Sequence, residues 1–294
     1  MKTMSVSALR EYREKEHEKS YLLIDVRQPA EYEESHIPGS LLLPLNQFEE
    51  QVEELPEKHL IFYCKSGIRS RAAALTADFF NAADKDIYNL EGGMLAWNGV
   101  TIQGLPSFKA LDLKKGGNEI LVDAMNLEKG AFRFYEHLLN QCYSDSSLNE
   151  IMERVRDGEL GHAKLIYSHL KQLSPATPPF DDIYQNLDGD ILEGGTPLDE
   201  MVRLLQKRGE QFAEQESLIK GDGEYRRESG KQQITDILEI AIAMEYQAFD
   251  LYRVLSERTS EEKTLQEAFY SLSQAEKTHM NSIVRALEQF LSES

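Results

Sequence analysis

"YCKSGIRSRAA" (residues 63–73) decides how the first third of the chain is read. Cys64 closes the apolar run LIFYC (60–64). A short loop carrying Lys65, Gly67 and Arg69 follows, and an alanine-rich helix begins about six residues after the cysteine. A strand–loop–helix turn of this kind aims successive backbone amides at one point, and the helix N-terminus adds positive potential. Lys65 and Arg69 add formal charge. Together these favour the thiolate, the reactive form of cysteine. The same cradle suits an anionic substrate or the outer sulfur of a persulfide. A buried cysteine at the end of a core strand is also a common packing residue, so the loop alone leaves both readings open.

Outward from the loop, strand and helix signals alternate. YLLIDV (21–26), SLLLPL (40–45), LIFYC and DIYNL (86–90) read as buried strands. SALREYREKEHEK (7–19) and SRAAALTADFF (70–80) read as helices between them. Short buried strands alternating with helices predict an α/β domain with a mainly parallel sheet over 1–105. Turn residues after Trp97, including Gly116 and Gly117, mark a linker at 106–118. Beyond it the strand signals vanish. Helical periodicity occupies about 119–142, 147–172, 231–257 and 261–291. The segment 119–294 therefore reads as an all-α four-helix bundle, with a long crossover at 173–230 that holds one short helix (198–214).

A length of 294 residues suits two domains. The net charge of −19 disfavours nucleic acid as a partner. No stretch has the form of a signal peptide or a membrane span, so neither is expected and the cytoplasm is the expected location. The two cysteines, Cys64 and Cys142, cannot make a disulfide framework, a four-cysteine zinc site or a rubredoxin-type iron site.

Three motifs, IDVRQPAEYEESHIPGSLLLP (24–44), YCKSGIRS (63–70) and LEGGMLAW (90–97), together resemble the rhodanese domain. The hallmarks are Asp-x-Arg before a Glu-aromatic pair, a His-Ile-x-Gly turn, a Cys-x-x-Gly-x-Arg loop and a closing Gly-Gly-x-x-x-Trp. The resemblance implies a sulfurtransferase in which Cys64 is the nucleophile that accepts a sulfane sulfur. Lys65, Ser66, Gly67, Ile68 and Arg69 would form the substrate loop, and Asp25 and Arg27 would brace the site. Ser35 departs from the pattern where a glycine often precedes the histidine. Phosphatases of the same fold and arsenate reductases also use a cysteine–arginine loop. Theirs carries the arginine one step later, whereas here Arg69 lies five residues after Cys64 and Ser70 takes the later place. A single sulfur atom fits the tighter ring, so sulfur chemistry is preferred.

The C-terminal half holds a second pattern. Leu121, Met125, Glu128, Phe132, Tyr135 and Leu139 share one helical face, and Leu238, Ile242, Glu245, Phe249 and Tyr252 share another, with Leu255 beside it. A lone carboxylate on an apolar stripe is costly to bury unless something pairs with it. The intervening helices each carry Glu-x-x-His, Glu159 with His162 and Glu276 with His279. The same spacing at Glu14/His17 and Glu33/His36 reads as incidental. What separates the two pairs is phase. Glu128 and Glu245 stand 117 residues apart, as do Glu159 and Glu276, and Leu121/Leu238, Tyr135/Tyr252 and Ile166/Ile283 keep the same offset. A duplicated helical hairpin would bring four carboxylates and two imidazoles to one place, the ligand set of a di-iron or di-manganese centre.

This half resembles the ferritin-like superfamily, most closely the rubrerythrins. By that resemblance Glu128, Glu159, His162, Glu245, Glu276 and His279 fall on the six metal-ligand positions. Rubrerythrins commonly carry a further Glu three residues after the third-helix Glu; here Ala248 stands there. Their rubredoxin module is also missing, which implies an external electron donor. Tyr135 and Tyr252 are expected over the site, as hydrogen-bond donors to the carboxylates or as plain packing. His169 reads as a partly exposed histidine near its helix end, and Cys142 as a packing residue or a second sulfur acceptor.

The combined expectation is a sulfurtransferase with a Cys64 persulfide, joined to a two-iron (or two-manganese) centre of peroxidase or oxidase type, with no haem or nucleotide. Thiosulfate, polysulfide or a persulfide would donate sulfur, a thiol or cyanide would accept it, and peroxide or oxygen would meet the metals. The shared chain raises coupling between the two sites. A homodimer is expected, with no membrane or nucleic-acid partner. A non-catalytic sulfur carrier and metal-binding protein stands as the alternative.

Overall fold

A computed structural model describes residues 1–16, 18–56, 58–80, 85–103, 111–140, 146–207 and 223–292. The chain divides into two compact units, Met1–Leu105 and Pro106–Ser294. In the first, strands β1 (Lys2–Met4), β2 (Tyr21–Asp25), β3 (Leu41–Leu42), β4 (His59–Tyr63) and β5 (Ile87–Leu90) form one sheet of order β1-β5-β4-β2-β3. Every pairing is parallel. Helices α1 (Val6–Lys15), α2 (Pro29–Glu34), α3 (Leu45–Gln51), α4 (Ile68–Phe80) and α5 (Gly93–Ala96) complete it.

Side-chain alternation along the strands sorts the core. Leu22 and Ile24 of β2, with Leu60, Phe62 and Cys64 along β4, join Phe48 and the Ala73, Ala74 and Ala77 face of α4 on one side. Tyr21, Leu23, Ile61 and Tyr63 join Met4, Leu9 and Leu90 on the other. Cys64 thus faces the side from which α4 rises.

The sequence reading differs from this at several places. The predicted strand 40–45 contracts to Leu41–Leu42, because Pro44 lacks an amide for the ladder and instead stands at the N-cap of α3. β1 and the short helices α2, α3 and α5 were not expected. The helix after the cysteine loop opens at Ile68 rather than at Ser70.

In the second unit, α6 (Gly117–Asn140) packs on α7 (Ser146–Leu173), α10 (Gly223–Arg258) packs on α11 (Lys263–Ser292), and α7 meets α11. Between α7 and α10 run α8 (Phe180–Tyr184) and a helical stretch at 198–207, α9. Cys142 and positions 208–214 of the predicted short helix lie outside the described residues. The apolar core is split into two clusters. One takes Leu121, Met125, Ile166, Leu170, Leu251, Leu255, Leu265 and Phe269. The other takes Phe134, Leu138, Met152, Val155, Leu238, Ala241 and Ile283. On each of the four long helices, the positions between the two clusters are those of the Glu and His residues singled out above.

Asp25 and Arg27 form a buried ion pair on the C-terminal side of β2. Arg27 Nε lies 3.0 and 2.9 Å from the two Asp25 oxygens and Nη2 lies 2.6 Å from Oδ2. Nη2 also donates to the Ser35 carbonyl at 2.6 Å. Removing one member of a buried pair strands the other's charge, at a cost of roughly 3–5 kcal/mol. Arg27→Ala is therefore expected to lower the stability of this unit by that order in urea unfolding, and Asp25→Asn with Arg27→Met to regain part of the loss.

Candidate functional sites

Cys64 follows directly on β4, beside the end of β2, where Asp25 pairs with Tyr63. In a parallel α/β sheet this edge, at the C-terminal ends of the central strands, is where ligands sit. The Gly67 amide lies 3.1 Å from Cys64 Sγ and the Ser70 hydroxyl 3.4 Å. Burial alone would raise the thiol's pKa. The Ser70 hydroxyl and the amides of Ser70, Ser66 and Gly67 outweigh it and hold the pKa below that of an ordinary thiol. The Ser70 hydroxyl also lies 2.7 Å from Asn89 Oδ1, so its one proton goes to that oxygen or to the sulfur, and Asn89 Nδ2 donates to the Gly67 carbonyl at 3.2 Å.

The Gly92–Gly93 turn fixes the other flank. Met94 N donates to the Cys64 carbonyl and Leu95 N to the Lys65 carbonyl, both at 2.9 Å. Gly93 has φ +53°, and a Cβ there would stand 2.1 Å from the Cys64 carbonyl oxygen, so only glycine allows the approach.

The loop side chains divide by task. Lys65, Ser66 and Ile68 are exposed, whereas Gly67 is buried. Arg69 makes a bidentate pair with Glu31, with both N–O distances 2.7 Å. The Arg69 hydrogen bond holds the Glu31 carboxyl at about 2, against the opposing effect of burial. Because its pKa is depressed, Glu31 contributes to stability above the ordinary glutamate range and loses that contribution as pH falls through about 2. Cys64 is among the charges acting on the Arg69 guanidinium, so Arg69 lies within electrostatic reach of the sulfur. Glu31, Ser70 and Asn89 were not assigned site roles from sequence. Glu31 and Ser70 sit inside quoted motifs, and Asn89 lies on β5, where only a strand was read. Asp25 and Arg27 bind one another and the turn at Ser35.

In the second unit the six singled-out residues meet. Glu128, Glu159, Glu245, Glu276 and His162 are buried, and His279 nearly so. His162 Nδ1 lies 3.1 Å from Glu128 Oε2, 3.2 Å from Glu159 Oε2 and 2.8 Å from Glu276 Oε1. His279 Nδ1 lies 3.2 Å from Glu159 Oε1 and 3.4 Å from Glu245 Oε2. One ring nitrogen carries at most one proton, yet His162 faces three carboxylates. Glu245 Oε2, Glu276 Oε1 and His279 Nδ1 are buried without a hydrogen bond. Donor atoms of Glu159, His162, Glu276 and His279 all lie within 4.8 Å of one another. Convergent, under-satisfied oxygen and imidazole donors fit divalent iron or manganese.

The tyrosines complete the site crosswise. Tyr135 donates to Glu245 Oε1 from the opposite hairpin, and Tyr252 donates to Glu128 Oε1 in return. The two imidazoles stack with centroids 4.5 Å apart. A Cβ at Gly158 would stand 2.1 Å from His279 Nε2, so the glycine makes room for that ring. Burial pushes Glu128 up to about 7, against the pull of His162, and pushes Glu276 up as well. Glu159, between both imidazoles, is held at about 2 despite its burial. His169 is buried rather than partly exposed: seven residues after His162, it stays on the inward face. A fifth carboxylate, Glu193 from the crossover, is also buried beside the cluster. Nothing in its irregular, polar surroundings carries a periodicity that would have marked it.

A rhodanese-like domain model matches residues 8–99, and a rubrerythrin model matches residues 236–294. The latter match holds Glu245, Glu276 and His279; Glu128, Glu159 and His162 lie in the other half of the 117-residue repeat. A protein named "Sulfurtransferase" from Allochromatium vinosum is 36% identical over 77 residues, covering 26% of this chain and 70% of that one. "Putative sulfurtransferase YtwF" of Bacillus subtilis is 34% identical over 102 residues, covering 34% of this chain and 94% of that one. The chain spans 60% and 45% of the length of two other B. subtilis relatives, YqhL and "Putative sulfur carrier protein YrkF", at 40% and 39% identity. A rhodanese-like α/β domain is thus joined to a helical region whose second half matches the rubrerythrins. The chain belongs to the rhodanese-like family through residues 8–99, and residues 236–294, the second hairpin of the bundle, match the rubrerythrin model.

Since Ser70 leads the groups that stabilise the Cys64 thiolate, Ser70→Ala is expected to raise the midpoint of the pH profile for Cys64 alkylation toward that of an ordinary thiol. Iodoacetamide rates measured between pH 5 and 10 check this. An unchanged midpoint would assign the depression to the amides alone.

Proposed function

We propose that the chain transfers sulfane sulfur at Cys64 and holds two metal ions, iron in the first instance, in its helical unit. The Cys64 thiolate attacks the outer sulfur of thiosulfate or of a persulfide. A Cys64–sulfur bond forms, the donor's sulfur–sulfur bond breaks, and sulfite or a thiolate leaves with the electron pair. A thiolate or cyanide then takes the outer sulfur and returns the Cys64 thiolate. The amides of Ser66, Gly67 and Ser70 converge on the sulfur, which suits a terminal persulfide anion. Arg69, tied to Glu31, adds field rather than a free hand for a large tetrahedral anion. The single observation that carries this half is the sulfur's contact with the Gly67 amide at a parallel-strand end.

Glu128, Glu159, His162, Glu245, Glu276 and His279 would hold the two metals. A bound pair would supply redox chemistry toward peroxide or oxygen. Tyr135 and Tyr252 keep Glu245 and Glu128 oriented, and the apolar clusters on either side keep bulk water out. Electrons would reach the site from a separate donor.

Two variants separate the halves. Cys64→Ser is expected to abolish thiosulfate-to-cyanide sulfur transfer, by at least about a thousandfold, while metal content stays at the wild-type level. Glu128→Ala with Glu245→Ala is expected to do the reverse. Metal analysis of protein purified without chelators, with an optical spectrum, reads the second arm. Full transferase activity in Cys64→Ser, or wild-type protein that takes up no metal, would overturn the corresponding half.

A further inference from the structure

We propose that Glu193 is a seventh protein ligand of the metal centre, delivered by the crossover between α7 and α10 and not by a bundle helix. The inference rests on the metal reading above. Glu193 is 3% exposed. One of its oxygens lies within 4.8 Å of oxygens of Glu128 and Glu159. With Glu159, Glu245, Glu276, Ala131, Met244 and Ala248 it lines one small enclosed space. Glu245 and Glu276, each with a buried oxygen that has no hydrogen bond, line the same space. A carboxyl set among carboxylates stays buried either as the neutral acid or with a cation among them, and the convergence of several such groups favours the cation.

The crossover is built to put it there. Three residues on one face of α6 hold its backbone. Asn126 Oδ1 accepts from the Gly189 amide at 2.8 Å. Lys129 donates to the carbonyls of Tyr184 and Leu187 at 2.8 and 2.6 Å. Arg133 donates to those of Asp188 and Gly189 at 2.6 and 3.0 Å. A tight turn follows, closed by Leu192 N to the Thr196 carbonyl at 2.9 Å and Gly195 N to the Leu192 carbonyl at 2.7 Å. Gly130 lets it press into the bundle: a Cβ there would stand 2.2 Å from the Ile191 carbonyl oxygen, whereas one at Gly194 would meet only the movable end of the Gln247 side chain. Leu192 is buried in the apolar cluster on one side of the site. Ala248, small and lining the same space, leaves the room that Glu193 enters.

The test uses the full chain and Mn2+ alone, titrated against a chelator of known affinity. The wild type is expected to bind two ions. Glu193→Gln is expected to keep its fold by circular dichroism and metal-free melting, and to bind one ion at least about tenfold more weakly. Adding Ala248→Glu to that variant is expected to recover affinity, since it returns a carboxylate from the helix side. Glu193→Asp, which shortens the reach by one methylene, serves if the glutamine variant does not fold, and is expected to weaken the same ion. Wild-type affinity for both ions in whichever Glu193 variant folds would overturn the role of Glu193 and leave the metal reading intact. A wild-type chain that binds no Mn2+ would overturn both.

Discussion

Carboxylates and imidazoles packed into one layer of an otherwise apolar bundle set the terms for the helical unit. The layer interrupts the core on all four long helices and leaves one hydrophobic cluster on each side. Ionised groups so far from water are tolerated only with opposite charge between them. Protons on the imidazoles can meet part of that need: the surrounding carboxylates raise His279 to about 11 and His162 well above its usual value, overcoming the burial that would lower both. Divalent cations would meet it more fully, and Glu245, Glu276 and His279, which keep atoms without a hydrogen bond, would be among the residues that hold them.

The duplication explains why the layer is orderly. Residues 117 apart take equivalent places on α6 and α10 and on α7 and α11. The phenolic bonds of Tyr135 and Tyr252 each cross to the other hairpin. Each half therefore fixes a carboxylate of the other half, and neither hairpin completes the site alone. Symmetry is broken where the chain needs asymmetry, at Gly158 against His279 and at the crossover.

Much of this was legible in the sequence because helices repeat. A carboxylate on an apolar stripe at fixed phase is visible without coordinates, and six such positions meet in space. The cysteine loop was legible for a different reason: an unbroken apolar run ends at Cys64, and the glycines after it leave few backbone paths. What escaped lies where no period operates. Glu193 sits in a turn held by hydrogen bonds from α6, and the close approach at Gly130 cannot be counted from spacing. Glu31 reaches Arg69 across 38 positions of chain. The second predicted strand shrank because Pro44 ends its ladder, and β1 is three residues long, too short for alternation to register. His169 was placed too near solvent because closeness to a helix end was weighed above its inward phase.

The cysteine loop is pinned at both ends by main chain. Its first two carbonyls are bound by the amides of Met94 and Leu95, and the carbonyl of Gly67 is bound by the Asn89 side chain. Gly93 leaves no slack beneath it. The ring around the sulfur is thus a fixed aperture. Lengthening it by one residue would mean breaking contacts made by a segment nearly thirty positions downstream. Drift toward a roomier anion pocket would need paired changes in two distant stretches, which sets a threshold against that change in chemistry.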